Sequence, residues 1–189
     1  MKPPSPFCFN LKGIKAIVLG TDPSNFTDKG KTKILTKAFG IGDGDSGYFR
    51  NILNNLKQIG LGLEDIYVDN LIQNYLNLET SKNKNWIKIA KENIPDCLSI
   101  LDRIDKKRKI PVLITAEVIY KVLLNDDVRP TTAEELYTGN FAIPIIPKEN
   151  KLLRPIIPFY RHYEYSLDKH DSYRNKIKSL FDKFHDQKQ

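Results

Sequence analysis

Cysteine is nearly absent from this chain: Cys8 and Cys97 are the only two in 189 residues, and they lie far apart. They form neither a disulfide framework nor a metal-ligand spacing, which points to a reducing compartment, the cytoplasm. An iron–sulfur cluster is excluded for the same reason. Histidine is scarce as well. His162, His170 and His185 are the only three, and their spacing is not that of a zinc site. No apolar run approaches the length of a membrane span, and the opening Met1-Lys2-Pro3-Pro4-Ser5-Pro6 has no apolar signal core. Neither a membrane partner nor a cofactor is therefore expected.

What is present is a moderately basic chain of net charge +7. Its length suits one domain with a real core. The single domain spans 1–189, with a Pro-rich segment at 1–13 and a C-terminal helix and basic tail at 168–189, and is expected to be monomeric. Positive charge suits a polyanionic partner, although much of the excess falls on solvated helix faces and in the tail.

Strand and helix patterns alternate along the chain. Ile14 and Ala16-Ile17-Val18-Leu19 read as a buried strand that runs into Gly20, Asp22 and Pro23. A polar, Gly- and Lys-rich loop over 21–44 follows, and loops this long are more often functional than idle. Phe49, Ile52, Leu53, Leu56 and Ile59 have helical spacing, with Asp45 or Ser46 as the cap and Gly60 and Gly62 at the end. Residues 65–70 form a second strand. A helix over 86–93 is followed by another begun by Pro95, with Leu98, Leu101 and Ile104 inward. Residues 110–115 form a third strand and 116–124 a helix. Short strands are expected at 141–146 and 153–157. A last helix carries Tyr173, Ile177, Leu180, Phe181 and Phe184. The alternation predicts a three-layer α/β/α fold around a central, mainly parallel sheet of about four strands. Ligand crevices in such folds open at the carboxyl ends of the strands. That places Asp22 at the edge of a crevice, although Asp-Pro also simply starts turns.

Three local patterns bear on chemistry. Gly30-Lys31-Thr32 resembles the end of a phosphate-binding loop, but Asn25 stands where the loop needs its first glycine. A nucleotide hydrolase of that kind is thus the weakest reading. His162-Tyr163-Glu164 matches the H-x-E of zinc deaminases, but no cysteine lies beyond Cys97 to complete the ligand set. Finally, residues 158–167 carry Phe159, Tyr160, Arg161, His162, Tyr163 and Tyr165. Aromatic faces that stack on bases and an arginine that pairs with phosphate suit nucleic acid. The same residues would also suit an aromatic loop that covers the core.

Taken together, these segments resemble the uracil-DNA glycosylase superfamily, in order, over most of the chain from about residue 15 to 167. Gly20-Thr21-Asp22-Pro23 resembles its G-Q-D-P-Y-H motif, whose aspartate positions or activates the water that attacks the sugar. Phe39 resembles the phenylalanine that stacks on the flipped base. The stretch from Ser46 to Ile52 resembles the serine-containing loop and following helix. Val68-Asp69-Asn70 resembles the L-L-N strand end, whose asparagine reads the uracil edge. His162 resembles the histidine of H-P-S-P-L-S, which stabilises charge on the departing base.

The resemblance implies a base-excision DNA repair hydrolase with DNA as partner. Asp22 and His162 would be catalytic. Gly20, Thr21, Pro23, Ser24, Phe39 and Asn70 would hold the base, and Ser46, Arg161, Tyr163 and Tyr165 the nucleic-acid backbone. The chemistry fits these residue types: a carboxylate suits an oxocarbenium-like sugar, a donor suits a departing anion, and an amide reads a base edge. The chain departs from the family at Ser24 and Asn25, which replace tyrosine and histidine, and after His162, where the prolines are missing and Glu164 adds a negative charge. Leu167 lies one residue from the position of the family's duplex-wedging leucine. A binding protein of the same fold that cleaves nothing is the alternative these departures support.

Overall fold

The computed structural model describes residues 1–26, 30–43, 47–139 and 141–186, without the side chains of 47, 48 and 184–186. Among the described residues nine strands and α-helices carry the fold: β1 (Ala16–Gly20), α1 (Gly47–Gln58), β2 (Ile66–Asn70), α2 (Trp86–Ile104), β3 (Val112–Ile114), α3 (Glu117–Leu123), α4 (Ala133–Thr138), β4 (Ile156–Pro158) and α5 (Asp171–Asp186). The four strands form one all-parallel sheet in the order β2-β1-β3-β4. Every strand residue is buried, as expected when helices cover both faces of a parallel sheet. This is the three-layer α/β/α arrangement that the alternation predicted. Among the described residues no helix is long and apolar enough to cross a membrane.

Because the sheet is parallel, all four carboxyl ends lie on one edge. Gly20 is in register with Asn70, and Ile114 with Pro158. Backbone bonds extend the pairing past the strand ends: Leu71 donates to Gly20 O (2.8 Å), Ile72 to Thr21 O (3.0 Å) and Arg161 to Thr115 O (3.1 Å). The turn that leaves β2 is therefore fixed to the end of β1, and the turn that leaves β4 to the end of β3. At the outer edge, Phe7 and Val68 exchange backbone hydrogen bonds of 3.0 and 2.9 Å. The Pro-rich N-terminal segment thus covers the open side of β2, which would otherwise present unpaired backbone.

Three expectations from the sequence are corrected. The two helices expected around Pro95 are one continuous helix, α2, with Pro95 inside it. Proline in a helix interior costs roughly 3 kcal/mol. However, the stripe of Trp86, Ala90, Ile94, Cys97 and Leu101 is buried on both sides of it, and one unbroken apolar stripe offsets that cost. Residues 141–146 are not a strand. Only Ile145 pairs, as a single antiparallel bridge to Ile156, because Pro144 has no N–H to give a ladder. Helix α4 was not anticipated. Its signature is nonetheless present: Thr132 Oγ1 accepts from the Glu135 N–H at 3.2 Å while Glu135 Oε2 accepts from the Thr132 N–H at 2.9 Å, a reciprocal cap. The Asp45 and Ser46 cap of α1 lies outside the described residues.

Candidate functional site

Asp22 leaves the end of β1 and turns inward. It is 6% exposed, and three donors hold its carboxylate. The Ser24 N–H reaches Oδ1 at 2.9 Å, while the Thr80 hydroxyl and the Trp86 indole N–H reach Oδ2 at 2.7 and 2.8 Å. The first is an Asx turn, the local bond that Asp-Pro invites. The other two come from the segment between β2 and α2. An ionised carboxylate offers about four acceptor positions, and donors among the described residues take up three of them.

Gly20 makes the neighbouring geometry possible. A Cβ at this position would fall 2.5 Å from Phe39 Cζ and closer still to Asn70 Oδ1. Without it, the Phe39 ring and the Asn70 amide both close over the end of β1. Phe39 holds φ at 60°, the left-handed region that a bulky residue enters at a cost of about 1–3 kcal/mol. Edge-to-face packing on Phe49 at 5.6 Å holds its ring there.

A cavity of about 30 Å³ lies among Asp22, Ser24, Phe39 and Asn70. That is room for a water, far below the few hundred Å³ of a pocket for a small organic ligand. Ser24 and Asn25 also line a second, open cleft of about 670 Å³, with Thr21, Thr80, Trp86 and Arg161 among its other walls.

Asn70 is set by its neighbour. Asp69 is 2% exposed. Its Oδ1 accepts from the Asn70 N–H (2.8 Å) and Gln73 Nε2 (3.0 Å), and its Oδ2 from the Tyr67 hydroxyl (2.9 Å). Gln73 Nε2 also donates to Asn70 O at 2.6 Å. Burial pushes the Asp69 carboxyl above its ordinary range, against the three hydrogen bonds that favour the charged form. The linkage sign follows. An aspartate whose folded pKa is raised binds its proton more tightly when folded, so stability falls as pH rises from the unfolded value through the folded one. Asp69→Asn keeps both acceptor bonds on Oδ1 and lets its new amide donate to Tyr67. The variant should therefore be more stable than the parent at pH 7, with the gain vanishing below the ordinary carboxylate range; urea unfolding at pH 3.5 and pH 7 checks it.

The loop after β4 behaves differently. The Arg161 backbone is tied to Thr115 and accepts from Asn51 Nδ2 at 3.2 Å. The residue lines the 670 Å³ cleft. Burial lowers the arginine pKa from its ordinary value, and the Asp22 charge opposes that shift. His162 is exposed and lines neither cavity. Its Nδ1 lies 3.5 Å from the Glu164 carboxylate and its ring stacks loosely on Tyr163 at 4.7 Å. Tyr163 is exposed, under Lys169 Nζ at 4.7 Å. Tyr165 packs into an aromatic cluster against Tyr137 (4.9 Å) and Tyr160 (5.6 Å). Leu167 is fully buried, and its N–H is bound by Asn55 Oδ1 at 2.9 Å. Leu167 lies in the core and Tyr165 is half-buried, whereas His162, Tyr163 and Glu164 ahead of them are exposed.

The structure thus brings Asp22, Pro23, Ser24, Phe39 and Asn70 together around the small cavity, with Gly20 beneath Phe39 and Asn70 and with Thr21 and Arg161 on the adjoining cleft. It leaves His162, Tyr163 and Tyr165 outside both, and Ser46 lies outside the described residues. Among the described residues no group of three or more His, Cys, Asp or Glu side chains could hold a metal ion. The Gly30-Lys31-Thr32 segment is followed by no helix before residue 43 apart from the short turn at Ala38–Gly40, whereas a phosphate-binding loop opens directly into one.

Sequence reasoning missed Thr80 and Trp86. Trp86 is the only tryptophan of the chain, and a buried indole needs a partner for its N–H, but nothing local names Asp22 as that partner. Trp86→Phe keeps the ring and removes the donor. It should cost about 1–3 kcal/mol in urea unfolding, the price of an under-satisfied buried acceptor. Combined with Asp22→Asn, the two losses should be non-additive by about 1 kcal/mol, because each breaks the same bond.

No protein-family model matches the chain, and no curated protein matches it.

Proposed function

We propose that this protein excises a deaminated base from DNA by N-glycosidic hydrolysis, as a divergent uracil-DNA-glycosylase-like enzyme. The observation that carries this reading is the convergence of a carboxylate, an amide and an aromatic ring, Asp22, Asn70 and Phe39, around Gly20 at the carboxyl edge of the sheet. Asp22 Oδ1 accepts from a water in the small cavity and turns its oxygen toward the sugar C1′. The new C1′–O bond forms as the C1′–N bond breaks. The bonding pair leaves with the base, and the water's proton passes to the carboxylate or to solvent. The Asp22 charge also favours the cationic sugar of the transition state. Asn70 reads the base edge, and Phe39 stacks on its face after its ring moves off Gly20. Ser24, in place of a bulky tyrosine, leaves the pocket tolerant of more than one deaminated base. Arg161 contacts phosphate.

One observation favours a second reading, a member of the same fold that binds nucleic acid without cleaving it: His162 is paired with Glu164 and faces solvent. The deciding experiment incubates the protein with oligonucleotides bearing uracil, hypoxanthine or xanthine and looks for abasic sites. Release of any one of these bases supports the enzyme. Binding that weakens with salt, with no base released from any of them, supports the binding protein.

A further inference from the structure

We infer that the 670 Å³ cleft beside Asp22 is a seat for a phosphate-bearing nucleotide next to the target, held by Arg161 and Lys84 of its lining. The chemical class rests on the proposed function; the cleft itself does not. Its size suits a nucleotide, whereas the adjoining 30 Å³ cavity does not.

Its charge suits an anion. Among the described residues of the lining, Arg161 and Lys84 are the cations, and the one carboxylate, Glu79, is already bridged to Lys82 at 2.8 Å. The hydroxyls of Thr80 and Ser81 and the amide of Asn83 can meet sugar and phosphate oxygens. Ile87, 53% exposed, offers an apolar face to a base. The wall is built rather than loose: Thr80 and Trp86, on either side of Ser81, Asn83 and Lys84, are both fastened to the Asp22 carboxylate. A nucleotide seated here lies one shared wall, Ser24 and Asn25, away from the small cavity. Adjacent nucleotides of one strand require such spacing.

The same nucleotide chemistry could come from a free mononucleotide or from a strand, and the probes separate the two. Trp86, the only tryptophan, lines the cleft, so its emission reports occupancy without any need for catalysis. The protein is titrated at low salt with thymidine tetranucleotide and with thymidine 5′-monophosphate. Neither carries a deaminated base. A saturable change in Trp86 emission is expected with both. Tighter binding of the tetranucleotide identifies a strand as the ligand, and equal binding identifies a free nucleotide.

Arg161→Gln should weaken binding about tenfold, the value of a charge-assisted hydrogen bond. Lys84→Glu reverses an exposed charge and should weaken it several-fold. Lys183→Glu, on α5 and away from the cleft, changes net charge equally and should leave binding within about twofold. No saturable change with either probe overturns the inference, as does a Lys84→Glu variant that titrates like Lys183→Glu. Emission changes without base release would leave the seat standing and remove the proposed chemistry. Base release with no emission change would do the reverse.

Discussion

Asp22→Asn is expected to lower base release by about 10²–10⁴-fold while leaving DNA affinity nearly unchanged. The range is that of a positioned proton acceptor, and the carboxylate acts chiefly on charge that develops in the transition state. The substitution also tests the donor set. Oδ1 accepts from the Ser24 N–H, and Oδ2 from Thr80 and Trp86. An asparagine can offer its oxygen to only one side, so its amide hydrogens face a donor on the other. A folding cost of about 1–3 kcal/mol should accompany the loss of activity. Single-turnover base release, filter binding and urea unfolding on the same preparation separate the three effects. Retention of more than a tenth of the parental rate would remove Asp22 from the chemistry.

The second large effect is structural. Arg154 is fully buried and precedes β4. Its guanidinium donates to Asp102 Oδ1 at 2.8 Å, Asp105 Oδ2 at 3.1 Å and Asp105 O at 2.8 Å, which fastens the end of α2 to the start of the last strand. Arg154→Ala should cost about 3–5 kcal/mol, because it opens a cavity where a fully buried side chain stood and removes three charge-assisted bonds to the half-buried Asp102 and Asp105; the urea midpoint measures it.

The loss should depend on pH. Hydrogen bonding from Arg108, with Arg154 adding to it, holds the Asp102 carboxyl below its ordinary range. A depressed folded pKa contributes stability that is present above the unfolded value and lost as pH falls through the folded one. Removing Arg154 should therefore shrink the difference in stability between neutral and acid solution. Arg108 retains its own bonds to Asp102 at 2.9 and 2.6 Å, so part of that difference should survive.

Much of the architecture was legible from local pattern. A run such as Ala16-Ile17-Val18-Leu19 is apolar at every position because both faces of its strand are covered, and helical spacing exposed the buried stripe of Phe49, Ile52 and Leu56. The turn at Asp22 was legible too, since Asp-Pro after a buried strand specifies one through the residues' own backbone sterics and side-chain bond. Where local rules failed, distant packing had overruled them. Pro95 is a helix breaker by its own chemistry, yet α2 continues through it because the stripe on either side packs on the rest of the molecule.

The site divides along the same line. Its place after a buried strand nominated Asp22, whereas Phe39 and Asn70 were nominated only by the family resemblance of their segments. That Asp22 is held by Trp86, 64 residues away, that Gly20 admits Phe39 and Asn70 to the same space, and that His162 faces solvent were decided only by tertiary structure. Periodicity and turn chemistry depend on neighbours a few residues apart, so the sequence states them directly. Which donor reaches a carboxylate, or which way a loop leaves the core, depends on side chains brought together from remote segments, and only the packed fold specifies those.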